Sequence, residues 1–361
     1  MMLVLDGVDL RPRVQRALDE HLARQRTVLD ELGPPMTPLV DAVAELLSGG
    51  KRLRAAFLYW GWRALGQPDD PAVVRAASAM EIFQAAALLH DDVMDNSDLR
   101  RGRPAAHRTF ATWHQQRGWS GDPVRFGHAA AILAGDICLN WTDEVFSASG
   151  LPPAALQRAR PEFDRMRTQL MGGQFLDILE GAHGWGDLDL AERLDRCRTV
   201  IRHKSARYSV EQPLLIGADA ADAPEETRAG LARYGAALGE AFQLRDDVLG
   251  VFGDPEQTGK PAGDDLREGK HTVLVAYALA HADPTGAALL EASLGTPDLD
   301  EQAVQSLRDV LVRSTALQRT EDMVSSGAAR ALEALDQTPG LTDEGTQALR
   351  ELVAVCTDRA V

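Results

Sequence analysis

The sequence predicts an all-α fold, and three observations carry this prediction. Ala, Leu and Val alternate with Arg, Asp and Glu at helical spacing along most of the 361 residues. Segments with the two-residue period of a β-strand are almost absent. Breaks rich in Gly and Pro divide the chain into roughly a dozen helical stretches, one of which is predicted from Pro123 to Ser147. No Pro-, Gly- or Ser-rich linker separates one part from another, so we expect residues 1–361 to form a single large helical domain.

Composition limits the partners and the compartment. The net charge of −16 at pH 7 disfavours binding to nucleic acid or to anionic membranes. Cys138, Cys197 and Cys356 lack metal-type spacing and suit a reducing compartment. The N-terminus lacks the basic start and the long apolar core of a secretory signal, and we expect no apolar run of membrane-spanning length. We therefore expect a cytoplasmic protein without stable membrane insertion.

A basic segment opens the second predicted helix. It comprises Gly49-Gly50-Lys51-Arg52-Leu53-Arg54, and the helix runs on through Trp60. Cations are unfavourable at a helix N-terminus unless an anion joins them. Together with the backbone donors of the helix start, the three basic side chains predict an anion cradle. The alternative is a basic helix start that is merely solvated.

The most apolar helix of the chain leads into an acidic cluster. The stretch from Ala76 to Leu89 is apolar on most sides, which predicts a buried helix. Asp91, Asp92 and Asp95 follow it, and Asp91 and Asp95 share a helix face. Buried carboxylates need compensation, and clustered oxygen ligands suit a hard divalent cation such as Mg²⁺. A solvated acidic helix end is the alternative.

Arginines follow the acidic cluster directly. Arg100, Arg101 and Arg103 stand within nine residues of Asp95, with Gly102 between them. Guanidinium groups beside a metal-binding carboxylate cluster favour a ligand that bridges both. The combination predicts binding of a phosphate or a diphosphate.

Two polar motifs in the middle of the chain have open interpretations. Gln174 and Asp177 are three residues apart, so they share a helix face. They either hydrogen-bond within the core or extend a polar cavity. Lys204 and Ser205 precede Pro213, which we expect to kink or end its helix and so to let them present donors to a cavity. An ordinary surface lysine is the alternative.

A second acidic pair, Asp246 and Asp247, ends another apolar helix, predicted from Tyr234 to Leu249. The glycine-rich stretch after it only superficially suggests a nucleotide-binding loop. It has one residue too many between its glycines, Pro261 stands where Ser or Thr belongs, and no strand precedes it. We interpret it instead as a loop whose lysines close over a phosphate. No chemistry is indicated from Thr272 to the C-terminus.

Taken together, these residues resemble the trans-isoprenyl diphosphate synthases, the polyprenyl synthetase family. The resemblance covers roughly Gly49 to Val273, and its motifs occur in the family's order. The matching segments are Gly50-Lys51-Arg52-x-Arg54, Asp91-Asp92-x-x-Asp95, Arg100-Arg101-Gly102, Gly173-Gln174-x-x-Asp177, Lys204-Ser205-Ala206, Phe242-Gln243, Asp246-Asp247, and the lysines Lys260 and Lys270.

The resemblance implies a reaction and a role for each motif. It implies a helical bundle around an apolar cavity, about three Mg²⁺ ions per site, and a homodimer. An allylic diphosphate ionises, and isopentenyl diphosphate adds to the resulting cation.

The implied metal ligands are Asp91, Asp92, Asp95 and Asp246, with Asp247 in the same motif. The implied diphosphate partners are Arg100, Lys204 and Lys260 for the allylic substrate, and Lys51, Arg54, Gln84 and Arg101 for isopentenyl diphosphate. The other implied substrate-binding residues are Gln174, Asp177, Ser205, Gln243 and Lys270.

Three positions depart from the family pattern. Gly250 stands where the second acidic motif usually has its third aspartate, which puts one metal contact in question. Gln84 stands where many members have His, and Ser205 stands where Thr is common. Both of these replacements keep a side chain that can hydrogen-bond.

The product length is predicted from the helix before Asp91. Each turn climbs about 5.4 Å, roughly one isoprene unit. Ala87 and Ala86 lie one turn before Asp91 and are small, whereas Phe83, two turns before it, is the first large side chain. Phe83 is therefore predicted to form the floor of the cavity that holds the hydrocarbon tail, and this depth favours geranylgeranyl diphosphate over a farnesyl or a longer product.

Other functions fit the motifs less well. A terpene cyclase needs no second diphosphate site, so the basic segment at Lys51 counts against it. A non-catalytic subunit of a heteromeric synthase would have lost motif aspartates, and a diphosphate hydrolase would favour a more polar pocket.

Overall fold

The computed structural model describes residues 7–254 and 263–358 of the chain. In the first half, helices α1 to α6 span Leu10–Asp30, Thr37–Leu47, Leu53–Arg63, Pro71–Met94, Ala106–Gln116 and Pro123–Ser147, and a short 3₁₀ turn spans Pro34–Met36. Helices α7 to α10 span Pro153–His183, Leu190–Val200, Gln212–Ala220 and Glu225–Phe252. Helices α11 to α16 span Asp264–Arg267, Val273–His281, Pro284–Ser293, Glu301–Arg313, Ala316–Asp336 and Asp343–Thr357. The predicted all-α fold is confirmed.

Several helices begin at a capping aspartate that is followed by proline, a pair that can be recognised in the sequence. The Asp70 side chain accepts a hydrogen bond from the Ala72 amide at the start of α4, and Asp122 does the same for Val124 at the start of α6. Proline follows each cap, where its missing N–H leaves no hydrogen bond unmade. Such a cap contributes about 1 kcal/mol to helix stability. These local signals explain why α6 has the predicted bounds.

Helix α4 is the central helix of the larger core. It packs against α3, α6 and α1, and most of its residues from Ala72 to Leu89 are buried. By length and hydropathy, Pro71–Met94 does reach membrane-spanning size, so the expectation that no apolar run would do so was wrong. However, 78% of its most apolar window is buried inside the protein. Packing against neighbouring helices therefore accounts for its apolar character.

Two hydrophobic clusters share helix α10. The larger cluster includes the buried aromatic side chains of α3 and α4 together with Tyr234 and Leu238 of α10. The smaller cluster is built from α8 and the helices after α10, and Leu244 and Val251 of α10 belong to it. The second acidic pair, Asp246 and Asp247, thus lies on the part of α10 that packs into the smaller cluster.

Two local departures from regular helix lie between these helices. An antiparallel hairpin is formed by two strands of two residues each, Leu99–Arg100 and Arg103–Pro104, in which Arg100 pairs with Arg103. Residues Ile201–Glu211 form a π-helical segment that joins α8 to α9. Its wider turns end just before Pro213, so they relieve the clash between a proline ring and the carbonyl four residues earlier. Pro213 was expected to kink or end its helix, whereas in the structure it follows a widened helical segment that continues into α9.

Candidate active site

The first acidic motif lies at the C-terminal end of α4. Asp91 and Asp92 belong to the last turn, and Asp95 follows the helix directly. Asp92 is only 1% exposed and accepts hydrogen bonds from the Arg100 guanidinium, including one of 2.8 Å from Nε. The two-residue turn of the hairpin, which has positive φ at Arg101 and Gly102, brings Arg100 back to this position. Asp92 therefore holds Arg100 in place, whereas Asp91 and Asp95 have more exposed carboxylates.

Asp91 is the point at which three predicted site residues meet. The Gln174 side-chain amide donates to its Oδ1 at 2.7 Å, and Lys204 Nζ lies 3.2 Å from the same oxygen. Arg100 lies 3.8 Å from the other oxygen. Burial opposes ionisation of Asp91, but the charges of Lys204 and Arg100 outweigh it and lower its pKa. Gln174 thus contacts the acidic end of α4, and its place in a substrate cavity stays a prediction.

Lys204 links Asp91 to the next polar residue of α7. Its ammonium lies 2.5 Å from Asp177 Oδ2 as well as beside Asp91. Burial opposes the charge, yet both carboxylates raise its pKa above the ordinary value. Close helix packing sets this geometry, because a Cβ atom at Gly173 would lie 2.3 Å from the backbone of His203. Lys204 is therefore a half-buried site residue rather than an ordinary surface lysine.

The second acidic motif faces the first across Lys270. Asp247 is 3% exposed and accepts a hydrogen bond of 2.8 Å from Gln243, whereas Asp246 is exposed. Burial raises the pKa of Asp247 to about 7, and the positive charge of Lys270 opposes that rise. The same lysine contributes to the lowered pKa of Asp91 and opposes the rise in the pKa of Asp95. Lys270 therefore acts electrostatically on carboxylates of both motifs.

The donor set suits a hard divalent cation. Asp95 reaches solvent, yet the protein around it and the negative charge of Asp91 raise its pKa to about 6. Ionisation of Asp95 and of Asp247 is disfavoured without a cation, so a bound cation would stabilise the ionised form of both. Among the described residues, no three acidic, His or Cys side chains are close enough to enclose an ion alone. The residues present therefore fit Mg²⁺ ions whose coordination a diphosphate completes.

The basic loop before α3 lies beside the tip of the hairpin. Arg101 donates to the Leu46 carbonyl at 3.0 Å, and a Cβ atom at Gly50 would lie 3.6 Å from its guanidinium. Burial and the charges of Arg52, Arg100 and Arg54 lower the pKa of Arg101. Like charges held this close store repulsion that a bound anion would relieve. The structure thus brings together the basic side chains for which the sequence predicted an anion cradle, and anion binding by this cluster stays a prediction.

The three basic side chains of the loop have different roles. Arg52, which the sequence placed in the cradle, is 4% exposed, and its Nη1 lies 3.3 Å from Glu81. It therefore anchors the loop to α4, because its buried ion pair turns it away from the surface. Arg54 donates to the Tyr208 hydroxyl at 2.6 Å and stacks over the Tyr208 ring. Lys51 is exposed.

The remaining predicted residues belong to α4 and to the π-helical segment. Phe83 and Ala86 are buried, and Gln84 and Ala87 are half-buried. The Phe83 ring meets the Tyr208 ring edge-on at a centroid distance of 6.3 Å. Ser205 is half-buried beside Lys204. Lys260 lies outside the described residues.

Sequence reasoning missed three residues of this site. Tyr208 contacts both Arg54 and Phe83, Glu81 compensates Arg52, and Asp265 lies 3.6 Å from Lys270. The only available signal for Tyr208 was its position one turn after Lys204. Nothing in the local sequence around Glu81 or Asp265 indicates these contacts, because their partners are distant or on another element.

Comparison with known proteins agrees with this geometry. The polyprenyl synthetase family model matches residues 37–311. The nonaprenyl diphosphate synthase of Mycobacterium tuberculosis is 30% identical over 99% of this chain and 98% of its own length. The geranylfarnesyl diphosphate synthase of Aeropyrum pernix is 32% identical over 86% of this chain and 91% of its own.

A solved structure is also similar over nearly the whole chain. It is the geranylgeranyl pyrophosphate synthase of Corynebacterium glutamicum in complex with isoprenyl diphosphate and magnesium. It has a TM-score of 0.90 and 36% identity, and covers 96% of this chain and 98% of that one. The names of these three relatives denote products of different length. With its two facing acidic motifs and the family match over most of its length, the chain belongs to the polyprenyl synthetase family and is a trans-prenyl diphosphate synthase.

Proposed function

We propose that this synthase joins isopentenyl diphosphate to an allylic diphosphate and that its main product is geranylgeranyl diphosphate. The observation that carries the proposal is the convergence of Gln174, Lys204 and Arg100 on Asp91, at the end of an apolar helix. A charged diphosphate would bind at this end, while its hydrocarbon tail would follow α4 into the core. The polar and apolar halves of the substrate thus match the two halves of the site.

Cations of the chain would receive the allylic diphosphate. Lys204 and Arg100 are held on the substrate side of α4 by Asp177 and Asp92, so their charges are preorganised before substrate arrives. Mg²⁺ held by Asp91, Asp95 and Asp246, about three ions in all, would add the positive charge that a departing diphosphate requires, while Asp92 stays engaged by Arg100. Arg100 and Lys204 then stabilise the same leaving group by charge-assisted hydrogen bonds.

Isopentenyl diphosphate would bind at the basic cluster on the other side of the hairpin. Lys51, Arg54, Arg101 and Gln84 are the proposed ligands. The repulsion among the arginines that lowers the pKa of Arg101 favours occupation by a second diphosphate. A terpene cyclase has no use for such a cluster. The hairpin carries Arg100 towards one diphosphate and Arg101 towards the other, so it sets the distance between the two substrates.

The proposed product length rests on α4. Ala87 is half-buried and small, and Phe83 one turn deeper is 1% exposed. Phe83 lies edge-on to Tyr208, so the floor consists of two rings from different helices. Phe83 lies about one helical turn deeper than Ala87, so a floor at Phe83 leaves room for roughly one isoprene unit more than a large side chain at Ala87 would leave. This additional unit favours geranylgeranyl over farnesyl diphosphate.

Product analysis tests the proposal directly. The protein is incubated with Mg²⁺, isopentenyl diphosphate and each of dimethylallyl, geranyl and farnesyl diphosphate in turn. We expect geranylgeranyl diphosphate as the main product from every primer that is accepted. A main product longer or shorter than this would refute the chain length and leave the prenyltransferase activity standing.

We further propose a cytoplasmic homodimer. Met171, Phe175 and Ile178 form an exposed apolar stripe on α7, and Ile132 and Leu133 are exposed on α6. Side chains of this size on a soluble protein commonly mark an interface. The three cysteines are free and buried, which suits a reducing compartment. Light scattering at micromolar concentration tests the dimer, and a monomer mass would contradict it.

A further inference from the structure

The second acidic motif is one carboxylate short in the sequence, and the structure fills that place from another helix. Gly250 follows Asp246 by four residues, so both positions lie on the same face of α10. A side chain at position 250 would therefore point towards the region that Asp246 and Asp247 serve. The glycine at position 250 therefore removes a carboxylate from the acidic motif itself.

The space beside Gly250 is occupied by the carboxyl group of Asp265. A Cβ atom with ideal geometry at position 250 would lie 2.2 Å from Asp265 Oδ2 and 2.5 Å from its Cγ. Such distances are far inside van der Waals contact, so only glycine at 250 allows this placement. Asp265 belongs to the short helix α11, and it is 7% exposed. Gly250 is therefore the residue that admits Asp265 to the motif.

Lys270 connects Asp265 to both acidic motifs. Its Nζ lies 3.6 Å from Asp265 Oδ1, and its backbone amide donates to the Asp265 carbonyl at 3.0 Å. Lys270 also acts electrostatically on Asp247 and Asp177. A single half-buried lysine thus serves Asp265 and Asp247 together, one positive charge for two carboxyl groups. A divalent cation at this place, where the proposed function requires one, would compensate the second carboxylate.

We propose that Asp265 supplies the carboxylate that the second acidic motif lacks at position 250 and that it positions divalent ions for the reaction. The inference rests on the proposed function, because it assigns Asp265 to the same metal-dependent site. It also gives an expectation for Gly250→Asp. In the wild-type background a new carboxylate at 250 would collide with Asp265, so this single substitution should impair the site.

The test measures ion binding without turnover. Mn²⁺ is titrated into the full-length protein with inorganic diphosphate, and free Mn²⁺ is followed by electron paramagnetic resonance. Asp265→Asn keeps the shape of the side chain and removes its charge. We expect it to weaken Mn²⁺ binding roughly tenfold or more, as loss of a carboxylate that supports a metal site does. The matched control is Asp264→Asn, which makes the same change one residue earlier and should bind as the wild type does.

A relocation experiment separates this role from simple support of the fold. Asp265→Gly alone should bind Mn²⁺ weakly, and adding Gly250→Asp should restore binding because the carboxylate returns to α10 in the vacated space. A folded double variant that binds no better than Asp265→Gly would overturn the proposal. If the double variant does not fold, Gly250→Ala takes its place, because its methyl group displaces the Asp265 carboxyl. Wild-type binding in Gly250→Ala, or in Asp265→Asn, would equally overturn it.

The outcomes distinguish this inference from the proposed function. A wild-type protein that forms prenyl diphosphates while Asp265→Asn binds Mn²⁺ normally refutes the role of Asp265 alone. A protein whose Mn²⁺ binding depends on Asp265 but which forms no geranylgeranyl diphosphate refutes the proposed product alone.

Discussion

The buried ion pair between Arg52 and Glu81 provides the sharpest test of how the basic loop is held. The two side chains are 3% and 4% exposed, and Arg52 has positive φ at the start of α3. Glu81 also accepts a hydrogen bond of 3.1 Å from the Ala55 amide. The substitution Glu81→Gln keeps an acceptor for Ala55 and removes the negative charge that compensates Arg52.

The expected cost follows from what remains around Arg52. Removing one partner of a buried ion pair typically costs about 3–5 kcal/mol, because the other charge stays buried. Arg52 keeps hydrogen bonds to the Leu47 carbonyl and to Gln15, which hold part of its charge in a polar environment. We therefore expect the lower end of the range, a loss of about 3 kcal/mol in the free energy of unfolding.

Glu45→Gln is the matched control. Glu45 pairs with Arg103 at 2.5 Å, but the two side chains are 44% and 67% exposed. An exposed pair of this kind contributes at most about 1 kcal/mol. Urea unfolding at one fixed protein concentration compares the two variants, since a dimer would make stability depend on concentration. The same variants are assayed for KM of isopentenyl diphosphate, which should rise in Glu81→Gln because the loop contacts Arg101. Equal losses of stability in the two variants would refute the assignment of Arg52 as a buried anchor.

Three further predictions concern the catalytic end and the floor of the cavity. Asp91→Asn should abolish turnover at saturating Mg²⁺ while circular dichroism shows a folded protein, and near-normal activity would refute its role. The raised pKa of Asp247 means that the metal-free folded protein binds more protons than the unfolded chain between about pH 4 and about pH 7. The contribution of Asp247 to the free energy of unfolding therefore falls as the pH rises through that window. Thermal unfolding in chelator should show a smaller loss of stability across this pH range in Asp247→Asn than in the wild type, and identical pH profiles would contradict the assignment. Ala87→Phe should shorten the main product and Phe83→Ala should lengthen it, the latter at a cost of about 3–5 kcal/mol in stability. Wild-type product distributions from both active variants would refute the floor at Phe83.

The sequence alone predicts the structure correctly wherever the signal is local. The bounds of α6 follow from the Asp122-Pro123 start and the helical pattern after it, and the structure has the predicted range. The burial of α4 follows from its apolar residues on nearly every side. The acidic clusters at the ends of α4 and α10 are contiguous in the sequence, so their grouping needs no tertiary information.

The sequence was insufficient wherever a contact joins distant elements. The neighbours Arg52 and Arg54 belong to one basic motif, yet one turns to Glu81 and the other to Tyr208. Which arginine pairs with Glu81 depends on the positive φ at Arg52, a backbone state that composition does not specify. Asp265 likewise has no local signal, because its relation to Gly250 exists only after α11 packs against α10.

The charge arrangement of the site also indicates an order of events. Without ligand, Lys204 is shared by Asp91 and Asp177, and Lys270 is shared by Asp247 and Asp265. Each lysine can turn towards a diphosphate only if another cation compensates the carboxylates it leaves. Under the proposed function, divalent ions that arrive with the substrate would supply that compensation, so we expect binding of metal and binding of diphosphate to be mutually dependent. The lysines would then act on the diphosphate only when the ions are in place, which would restrict ionisation of an allylic substrate to the fully assembled site.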